Sequence, residues 1–343
     1  MSISFISELP TPAEVKDLYS MSKAMGSLVA ERRSQIGKIF RGETERLVLI
    51  VGPCSADVEE SVLLYMEKLA AVQEKVADKI LIVPRAYTCK PRTTGKGYKG
   101  LLHQPDPLNP PDLCAGVVAM RKIHFDVVAQ TGLICADELL YPSAYQYVDD
   151  LLGYVAIGAR STENQEHRLV ASGIDVPVGM KNPTSGDLTV MMNSVTAGQA
   201  PHDFMYWGWA CRSEGNELCH AILRGFTDES GTGFSNYHYE NIAHVQELYL
   251  ERPELSYPAL VIDCNHSNSH KNPFEQPRIA REIMKYRRTN QSMRAFVKGL
   301  MIESYLEDGC QSIGAGFCGK SITDPCLGWE KTERLIYEIA DLA

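Results

Sequence analysis

The sequence predicts a (β/α)8 TIM barrel, the α/β fold in which eight parallel strands alternate with helices around a closed sheet. Eight short apolar runs are spread along the 343 residues, and a helical pattern follows each of them. The runs are continuously apolar rather than alternating, as expected for parallel strands that are buried on both faces. The first run lacks the Gly-x-Gly-x-x-Gly turn of an open dinucleotide-binding sheet. Together these features favour one closed barrel.

The elements can be assigned in chain order. A helical pattern runs from about residue 12 to residue 40, so we expect an N-terminal helical extension over residues 1–44 and a catalytic barrel over residues 45–343. The extension carries an apolar stripe that a barrel does not need, which predicts packing against the barrel or a partner subunit and favours a homo-oligomer. A second helix is expected over residues 58–76. The predicted strands are 46–52, 80–83, 133–136, 154–157, 177–180, 220–223, 259–262 and 295–302.

The composition is that of an ordinary globular protein, with 44% hydrophobic and 22% charged residues. A net charge of −9 and a pI near 5.5 argue against binding to nucleic acid or to anionic membranes, because such partners attract a positive surface. No apolar run is long enough for a membrane span, and the N-terminus lacks the charge order of a signal peptide. The ten cysteines show no C-x2-C spacing, as expected for free thiols in a reducing compartment. We therefore expect a cytoplasmic protein.

Polar side chains stand directly beyond every predicted strand. Four strands are followed by cations, and two more cations lie in the loop after the second strand: Arg85, Arg160, Lys181, Arg224, Lys90 and Arg92. The C-terminal ends of barrel strands converge on one face, where this fold builds its active sites. Six cations on that face would repel one another unless anions lie between them. We therefore predict a site for at least two anionic groups, most simply phosphates and a carboxylate.

A second set of residues has the chemistry of metal ligands. The first, seventh and eighth strands are neighbours in a closed barrel, and the residues beyond them offer a thiol, an imidazole and carboxylates: Cys54, His266, Glu303 and Asp324. Such a mixed set suits one divalent ion of the Mn, Fe, Co or Zn type. Each residue alone also has an ordinary explanation, as an apolar filler, a hydrogen-bonded loop histidine, an ion-pair partner or a turn residue.

Seven motifs resemble, in chain order, those of type I 3-deoxy-D-arabino-heptulosonate 7-phosphate (DAHP) synthases. They are Gly52-Pro-Cys-Ser55, Lys90-Pro-Arg-Thr-Thr94, Ile157-Gly-Ala-Arg-Ser-Thr-Glu163, Pro177-Val-Gly-Met-Lys-Asn182, Leu223-Arg-Gly225, Ile262-Asp-Cys-Asn-His-Ser-Asn268 and Gly319-Lys-Ser-Ile-Thr-Asp324. The resemblance implies a metal-dependent (β/α)8 enzyme. Such an enzyme condenses phosphoenolpyruvate with erythrose 4-phosphate at the start of the shikimate pathway to the aromatic amino acids.

The resemblance also implies roles for the cations and the metal-type residues. Arg160, Lys181 and Arg224 would hold the phosphate of phosphoenolpyruvate, and Arg85 and Lys90 would hold its carboxylate. Arg92 with Thr93 would bind the phosphate of the sugar. The implied metal ligands are Cys54, His266, Glu303 and Asp324.

Three residues are candidates for proton transfer. Lys90 is placed by the resemblance to protonate the developing alkoxide, and we expect neighbouring cations to lower its pKa. Glu138, or a water on the metal ion, is a candidate to assist the addition of water. His167, one helical turn beyond Glu163, is a further candidate.

The chain departs from the usual family pattern in four places. Pro183-Thr-Ser-Gly-Asp187 replaces a Gly-Thr-Asp-Gly run, and Ala136-Asp-Glu-Leu-Leu140 replaces Gly-Glu-Phe-Leu-Asp. Residues 200–220 and the N-terminal extension are shorter than in feedback-regulated members, where both regions contribute to binding of aromatic amino acids. We therefore expect weak or absent inhibition by these amino acids.

Two alternative functions follow from the same residues. The first is 3-deoxy-D-manno-octulosonate 8-phosphate synthase, which uses arabinose 5-phosphate, but its usual Lys-Ala-Asn-Arg-Ser-Ser loop differs from Lys90-Pro-Arg-Thr-Thr94. The second is a non-catalytic regulatory barrel that binds phosphometabolites. Such a protein would be expected to lack a ligand or a cation, and none is missing here.

Overall fold

Eight parallel strands form the centre of the molecule, which is known from a computed structural model that describes residues 2–92 and 94–343. The strands are β1 (Leu47–Gly52), β2 (Ile80–Pro84), β3 (Ala136–Glu138), β4 (Tyr154–Ile157), β5 (Val178–Lys181), β6 (Cys219–Leu223), β7 (Leu260–Asp263) and β8 (Val297–Glu303). In the sheet they follow the order β2-β1-β8-β7-β6-β5-β4-β3, and a parallel bridge between Arg85 and Ala136 joins the two outer strands. This confirms the predicted (β/α)8 barrel.

Helices precede and connect the strands. They are α1 (Pro12–Leu18), α2 (Lys23–Phe40), α3 (Glu59–Val76), α4 (Leu113–Thr131), α5 (Gln165–Ala171), α6 (Leu188–Gln199), α7 (Tyr239–Leu250), α8 (Gln276–Thr289), α9 (Gln291–Phe296) and α10 (Trp329–Leu342). An antiparallel hairpin of His202–Tyr206 and Trp209–Ser213, not predicted from the sequence, lies between α6 and β6. None of the helices within the described ranges has the length and apolar character to cross a membrane.

The third strand begins later than predicted. The apolar run at residues 133–136 is buried, but only its last residue belongs to β3, which pairs with β4 through Ala136, Asp137 and Glu138. The strand therefore extends into polar residues at its C-terminal end. Acidic side chains lower the apparent strand character of a sequence, so the apolar run alone misplaced this element.

The N-terminal extension contains two helices, so the prediction of one continuous helix was wrong. Thr11 and Glu14 form a capping box at the start of α1. The chain then leaves helical geometry at Tyr19 and restarts at Ser22, whose side chain accepts a hydrogen bond from the N–H of Met25 at 3.2 Å. A serine that caps one helix cannot also continue the preceding one, which explains the break.

Two layers of apolar side chains stabilise the barrel. Outward-facing strand residues such as Leu49 and Ile82 pack under the surrounding helices, whereas inward-facing residues such as Ile50 form a second cluster together with α2. Phe40 at the end of α2 stacks on His220 of β6 with ring centroids 4.3 Å apart. The apolar face of α2 therefore covers the N-terminal end of the barrel. A homo-oligomer stays a prediction.

Candidate active site

A cavity of about 270 Å³ opens where the C-terminal ends of the strands meet. Its charged lining is mostly cationic, with eight lysines and arginines and two carboxylates among the described residues. These are Arg85, Lys90, Arg92, Lys96, Arg160, Lys181, Arg224 and Lys271, with Glu138 and Asp324. The six cations singled out from the sequence thus meet at one cavity. Thr93 lies outside the described residues.

Three of the four candidate metal ligands form one group. One donor atom from each of Cys54, Glu303 and Asp324 lies within 4.8 Å of the others. A thiol and two carboxylates offer sulfur and oxygen donors, so the set fits a borderline divalent ion. Burial, reinforced by Glu303, raises the pKa of the Cys54 thiol to about 11. Binding an ion through the thiolate therefore requires the release of a proton at neutral pH.

His266 is a neighbour of this group. Its Nε2 atom lies 3.8 Å from Oε1 of Glu303, and its Nδ1 atom lies 2.8 Å from Oδ2 of Asp263, the last residue of β7. A carboxylate beside one ring nitrogen orients a histidine and makes the other nitrogen a better metal ligand. Burial lowers the pKa of His266, which favours the neutral imidazole that metal binding requires.

The ammonium group of Lys90 lies between candidate ligands. Nζ donates to Sγ of Cys54 at 2.7 Å and to Oδ2 of Asp324 at 3.1 Å. We expected neighbouring cations to lower the pKa of Lys90, and this expectation was wrong. Burial acts in that direction, but Cys54, Glu303 and Asp324 outweigh it and raise the pKa. Lys90 is therefore protonated at neutral pH, as a proton donor must be.

Arg85 lies buried beneath the cavity and contacts Glu303 directly. Its Nη2 atom is 2.8 Å from Oε1 of that carboxylate, and its guanidinium carbon lies 3.7 Å from the ring centroid of Tyr87. The second oxygen of Glu303 accepts a hydrogen bond of 2.7 Å from Asn265. Burial opposes ionisation of Glu303, but Arg85 and His266 outweigh it and lower the pKa of the carboxyl. Glu303 is thus an oriented anion at the end of β8.

Lys181 lies between two carboxylates, those of Glu138 and Asp263. Its Nζ atom lies 3.3 Å from Oε2 of Glu138 and 3.5 Å from Oδ2 of Asp263. Burial alone would raise the pKa of Glu138, yet Lys181 and Arg85 outweigh it and lower the pKa. Glu138 is therefore ionised at neutral pH and can accept a hydrogen bond from a water molecule or a substrate hydroxyl.

Three other cations lack a carboxylate partner. In the part of the chain that the structure describes, no carboxylate lies within 4.0 Å of Arg92, Arg160 or Arg224. Arg224 is only 9% exposed, and burial together with the nearby Arg160 lowers its pKa. An anion placed between Arg160 and Arg224 would relieve this repulsion. Arg92 uses Nε to donate to the carbonyl of Tyr98 at 2.9 Å, so its two terminal nitrogens stay available.

His167 lies in an adjoining cavity of about 420 Å³ that shares Lys90, Arg92 and Arg160 with the first. Its Nδ1 atom is 3.0 Å from Oδ1 of Asn164, and its Nε2 atom is 3.1 Å from the carbonyl of Leu140. Burial lowers its pKa. Both ring nitrogens face acceptor oxygens of the protein rather than open space, which leaves His167 less available for proton transfer than Glu138.

Lys271 and Asp263 were not singled out from the sequence. Lys271 Nζ lies 2.9 Å from Oδ1 of Asp324, and with Lys90 it lowers the pKa of that carboxyl against the effect of burial. Asp263 contacts both Lys181 and His266. The only sequence signal for either was proximity to His266. Lys271 follows the 3₁₀ turn His266–Ser269. His266, His270 and Lys271 all have positive φ, which is uncommon for these residue types and has no signal in the sequence.

The comparisons with known proteins agree with the fold. The family model described as the DAHP synthetase I family matches residues 22–336. The Phe-sensitive phospho-2-dehydro-3-deoxyheptonate aldolase of Escherichia coli is 36% identical over 350 residues, covering 99% of this chain and 96% of the relative. A tyrosine-inhibited enzyme of the same name from Candida albicans is 33% identical, covering 97% of this chain and 90% of the relative.

A solved structure is similar along the whole chain. The phospho-2-dehydro-3-deoxyheptonate aldolase of Francisella tularensis superposes with a TM-score of 0.91 at 30% identity, covering 99% of this chain and 98% of that one. Matches of this length and identity include the barrel and every strand that carries a candidate site residue. The chain belongs to the DAHP synthetase I family.

Proposed function

We propose that the protein is an enzyme that condenses phosphoenolpyruvate with D-erythrose 4-phosphate to give DAHP and phosphate, the first step of the shikimate pathway. One observation carries the proposal. Arg92, Arg160 and Arg224, which have no carboxylate partner among the described residues, line a cavity that is also lined by His266 and by Asp324, a member of the group of metal-type donors. Two phosphorylated substrates and one divalent ion would complement this arrangement. The names of the relatives support the same reaction.

Phosphoenolpyruvate would lie at the deep end of the cavity. Arg160, Lys181 and Arg224 would bind its phosphate. Burial and, to a smaller extent, the nearby Arg160 lower the pKa of Arg224, and a bound dianion would offset both effects. Lys90 and Arg85 would bind its carboxylate. Arg85 is oriented for this by Glu303 and by the face of Tyr87, so little reorganisation is needed on binding.

Erythrose 4-phosphate would bind nearer the surface, with its phosphate on Arg92 and Thr93. Pro91 restricts the backbone between Lys90 and Arg92, so the distance between the two substrates is set by a short, stiff segment. The half-buried Arg92 can present two parallel N–H groups, a geometry suited to a phosphate.

One divalent ion, Mn, Fe, Co or Zn, would be held by Cys54, His266, Glu303 and Asp324. When bound, the ion would act as a Lewis acid on the aldehyde oxygen of the sugar phosphate. The donor chemistry supports this assignment, since sulfur, nitrogen and oxygen ligands together suit several ions of this group.

The protein's own groups would then move the protons. As C3 of phosphoenolpyruvate attacks the aldehyde carbon, Lys90 would donate a proton to the developing alkoxide. Water adds at C2 and phosphate leaves. Glu138 is ionised and would orient or deprotonate that water. His167 is a less favoured candidate for the same step, because both its ring nitrogens face acceptor oxygens of the protein, at Asn164 and Leu140.

Release of phosphate from phosphoenolpyruvate, measured with and without a sugar phosphate, tests the proposal. We expect release that depends on erythrose 4-phosphate and a much lower catalytic efficiency with arabinose 5-phosphate. Equal or reversed efficiencies would favour the octulosonate synthase alternative. No release with either sugar from protein supplied with a divalent ion would favour a non-catalytic barrel. The comparisons support neither alternative.

A further inference from the structure

A buried carboxylate that the proposed chemistry does not use lies directly behind the site. Asp137, the residue before Glu138 on β3, is only 6% exposed. Its Oδ1 atom accepts hydrogen bonds from the N–H of Thr88 at 2.9 Å and from the N–H of Glu138 at 2.7 Å. Its Oδ2 atom accepts from Oγ1 of Thr88 at 2.6 Å and lies 3.1 Å from Nε2 of His124 on α4.

Thr88 lies two residues before Lys90, in the loop that follows β2. Its carbonyl accepts from the N–H of Leu102 at 3.0 Å, and the N–H of Lys90 donates to the carbonyl of Lys99 at 2.8 Å. The loop after β2 therefore folds back on itself, and Asp137 ties the folded loop to β3 through both the backbone and the side chain of Thr88. The carboxylate of Asp137 thus contacts Thr88, two residues before Lys90, and the backbone N–H of Glu138.

The chemistry of this contact requires a carboxylate. Four donors converge on two oxygen atoms, and only an ionised acid offers that acceptor capacity without a donor of its own. An amide would place N–H groups against at least one of these donors. Hydrogen bonds to a charged acceptor are about twice as strong as neutral ones, which offsets the cost of burying the charge. Asp137 also belongs to the stretch in which this chain departs from the usual family pattern.

Resting on the proposed function, we infer that Asp137 is a positioning residue that fixes Lys90 relative to Glu138, the proton donor for the alkoxide and the acceptor for the attacking water. It contacts neither substrate. Its effect passes through Thr88 to Lys90 on one side and through the N–H of Glu138 on the other. The cations that would bind the phosphate of phosphoenolpyruvate, Arg160, Lys181 and Arg224, lie on other segments, so the binding of that phosphate does not depend on Asp137. Arg92 follows Lys90 in the same loop, so the KM for erythrose 4-phosphate is expected to change as well.

Steady-state kinetics of the metal-loaded enzyme tests the inference. Asp137→Asn is expected to lower kcat by about tenfold to about 100-fold, the range for a slightly misplaced catalytic group. The KM for phosphoenolpyruvate should change less than kcat, because its phosphate ligands are untouched and Lys90 is the only one of its binding groups that is displaced. Thr88→Val should lower kcat in the same way and Thr88→Ser should restore it. The Thr88→Val, Asp137→Asn double variant should lose no more than Asp137→Asn alone.

Asp150→Asn is the matched control. Asp150 pairs with Arg121 at 2.7 Å, away from the cavity, so this variant should lose stability with kcat unchanged. A kcat of Asp137→Asn equal to that of the wild type, or a rise in KM without loss of kcat, overturns the inference. If Asp137→Asn does not fold, equal kcat values for Thr88→Val and Thr88→Ser overturn it. Wild-type protein without erythrose-dependent activity contradicts the proposed function instead.

Discussion

The Nζ atom of Lys90 lies 2.7 Å from the Sγ atom of Cys54. The ammonium group and a bound ion would therefore compete for the same sulfur. A protonated thiol is a poor ligand, and burial raises the pKa of Cys54 to about 11. The proposed metal binding at this site would thus be coupled to the loss of a proton and to the displacement of a lysine.

We predict that metal affinity depends strongly on pH. Between about pH 6 and about pH 8 the apparent affinity should rise about tenfold per pH unit, because one proton leaves Cys54 on binding. The pKa of His266 is lowered by burial, so its imidazole contributes little over this range. Competition with a chromogenic chelator measures the affinity at each pH. An affinity that does not change with pH would rule out a thiolate ligand.

The same site predicts the effect of metal removal. Chelation should abolish turnover, and several divalent ions should restore it. Cys54→Ala should lose stoichiometric metal, whereas Cys219→Ala, which removes an equally buried thiol on β6, should keep it. Elemental analysis after dialysis distinguishes the two variants. Full activity in a metal-free preparation would contradict the proposed chemistry.

Arg92 provides a test of the acceptor site. Arg92→Ala should raise the KM for erythrose 4-phosphate by at least about tenfold, as for loss of a charge-assisted pair, with little change for phosphoenolpyruvate. Arg92→Lys should not restore binding if the contact is bidentate. Arg212→Ala, an exposed arginine that pairs with Asp203 on the hairpin, serves as the control. A rise confined to phosphoenolpyruvate would reverse the assignment of the two phosphates.

Stability should fall at acid pH because of His220. Burial lowers its pKa from 6.5 to about 4, so the folded protein binds this proton less readily than the unfolded chain does. The stabilisation is complete above about pH 6.5 and is lost as the pH falls toward about 4, to the extent of about 3 kcal/mol.

Urea unfolding between these pH values measures the effect. The His220→Gln variant should show a shallower loss of unfolding free energy than the wild type. Tyr154→Phe removes the hydroxyl that lies 2.8 Å from Nε2 of His220 but keeps the titrating group, so its pH dependence should persist. Identical pH profiles for His220→Gln and the wild type would contradict the assignment.

Feedback inhibition should be weak or absent. The basis for this expectation is the resemblance, from which residues 200–220 and the N-terminal extension are expected to be shorter than in feedback-regulated members. Initial rates with phenylalanine, tyrosine or tryptophan added singly would show this. Strong inhibition by any of the three at a sub-millimolar concentration would prove the expectation wrong.

The barrel could be predicted because parallel strands buried on both faces leave continuous apolar runs in the sequence. Seven strands lie close to their predicted positions, and the cations beyond them meet at one cavity, since barrel topology brings strand ends together. An ion pair between Glu303 and one of the cations was among the explanations considered, and the structure shows that Arg85 is the partner. The sequence could not single out Arg85, because the two residues are far apart in the chain. The role of Asp137 was hidden for the same reason.

The break between α1 and α2 and the raised pKa of Lys90 could not be predicted from the sequence pattern either. The interruption before α2 depends on one side chain, because the hydroxyl of Ser22 caps the N-terminus of α2. The apolar residues keep their helical spacing across this break, so the sequence pattern does not reveal it. The raised pKa of Lys90 depends on three acidic groups from three different loops and strands. Such effects arise from tertiary contacts and have no local signature.

Phe40 and the apolar face of α2 pack against the N-terminal end of the barrel, opposite the cavity. Among the described residues, the exposed Arg160 and the loop residue Arg92 line the same cavity as the buried Lys181. On the proposed assignment, a sugar phosphate already bound at Arg92 would obstruct the entry of phosphoenolpyruvate to Lys181. The deeper substrate would then enter first, and the product would have to leave before the next turnover.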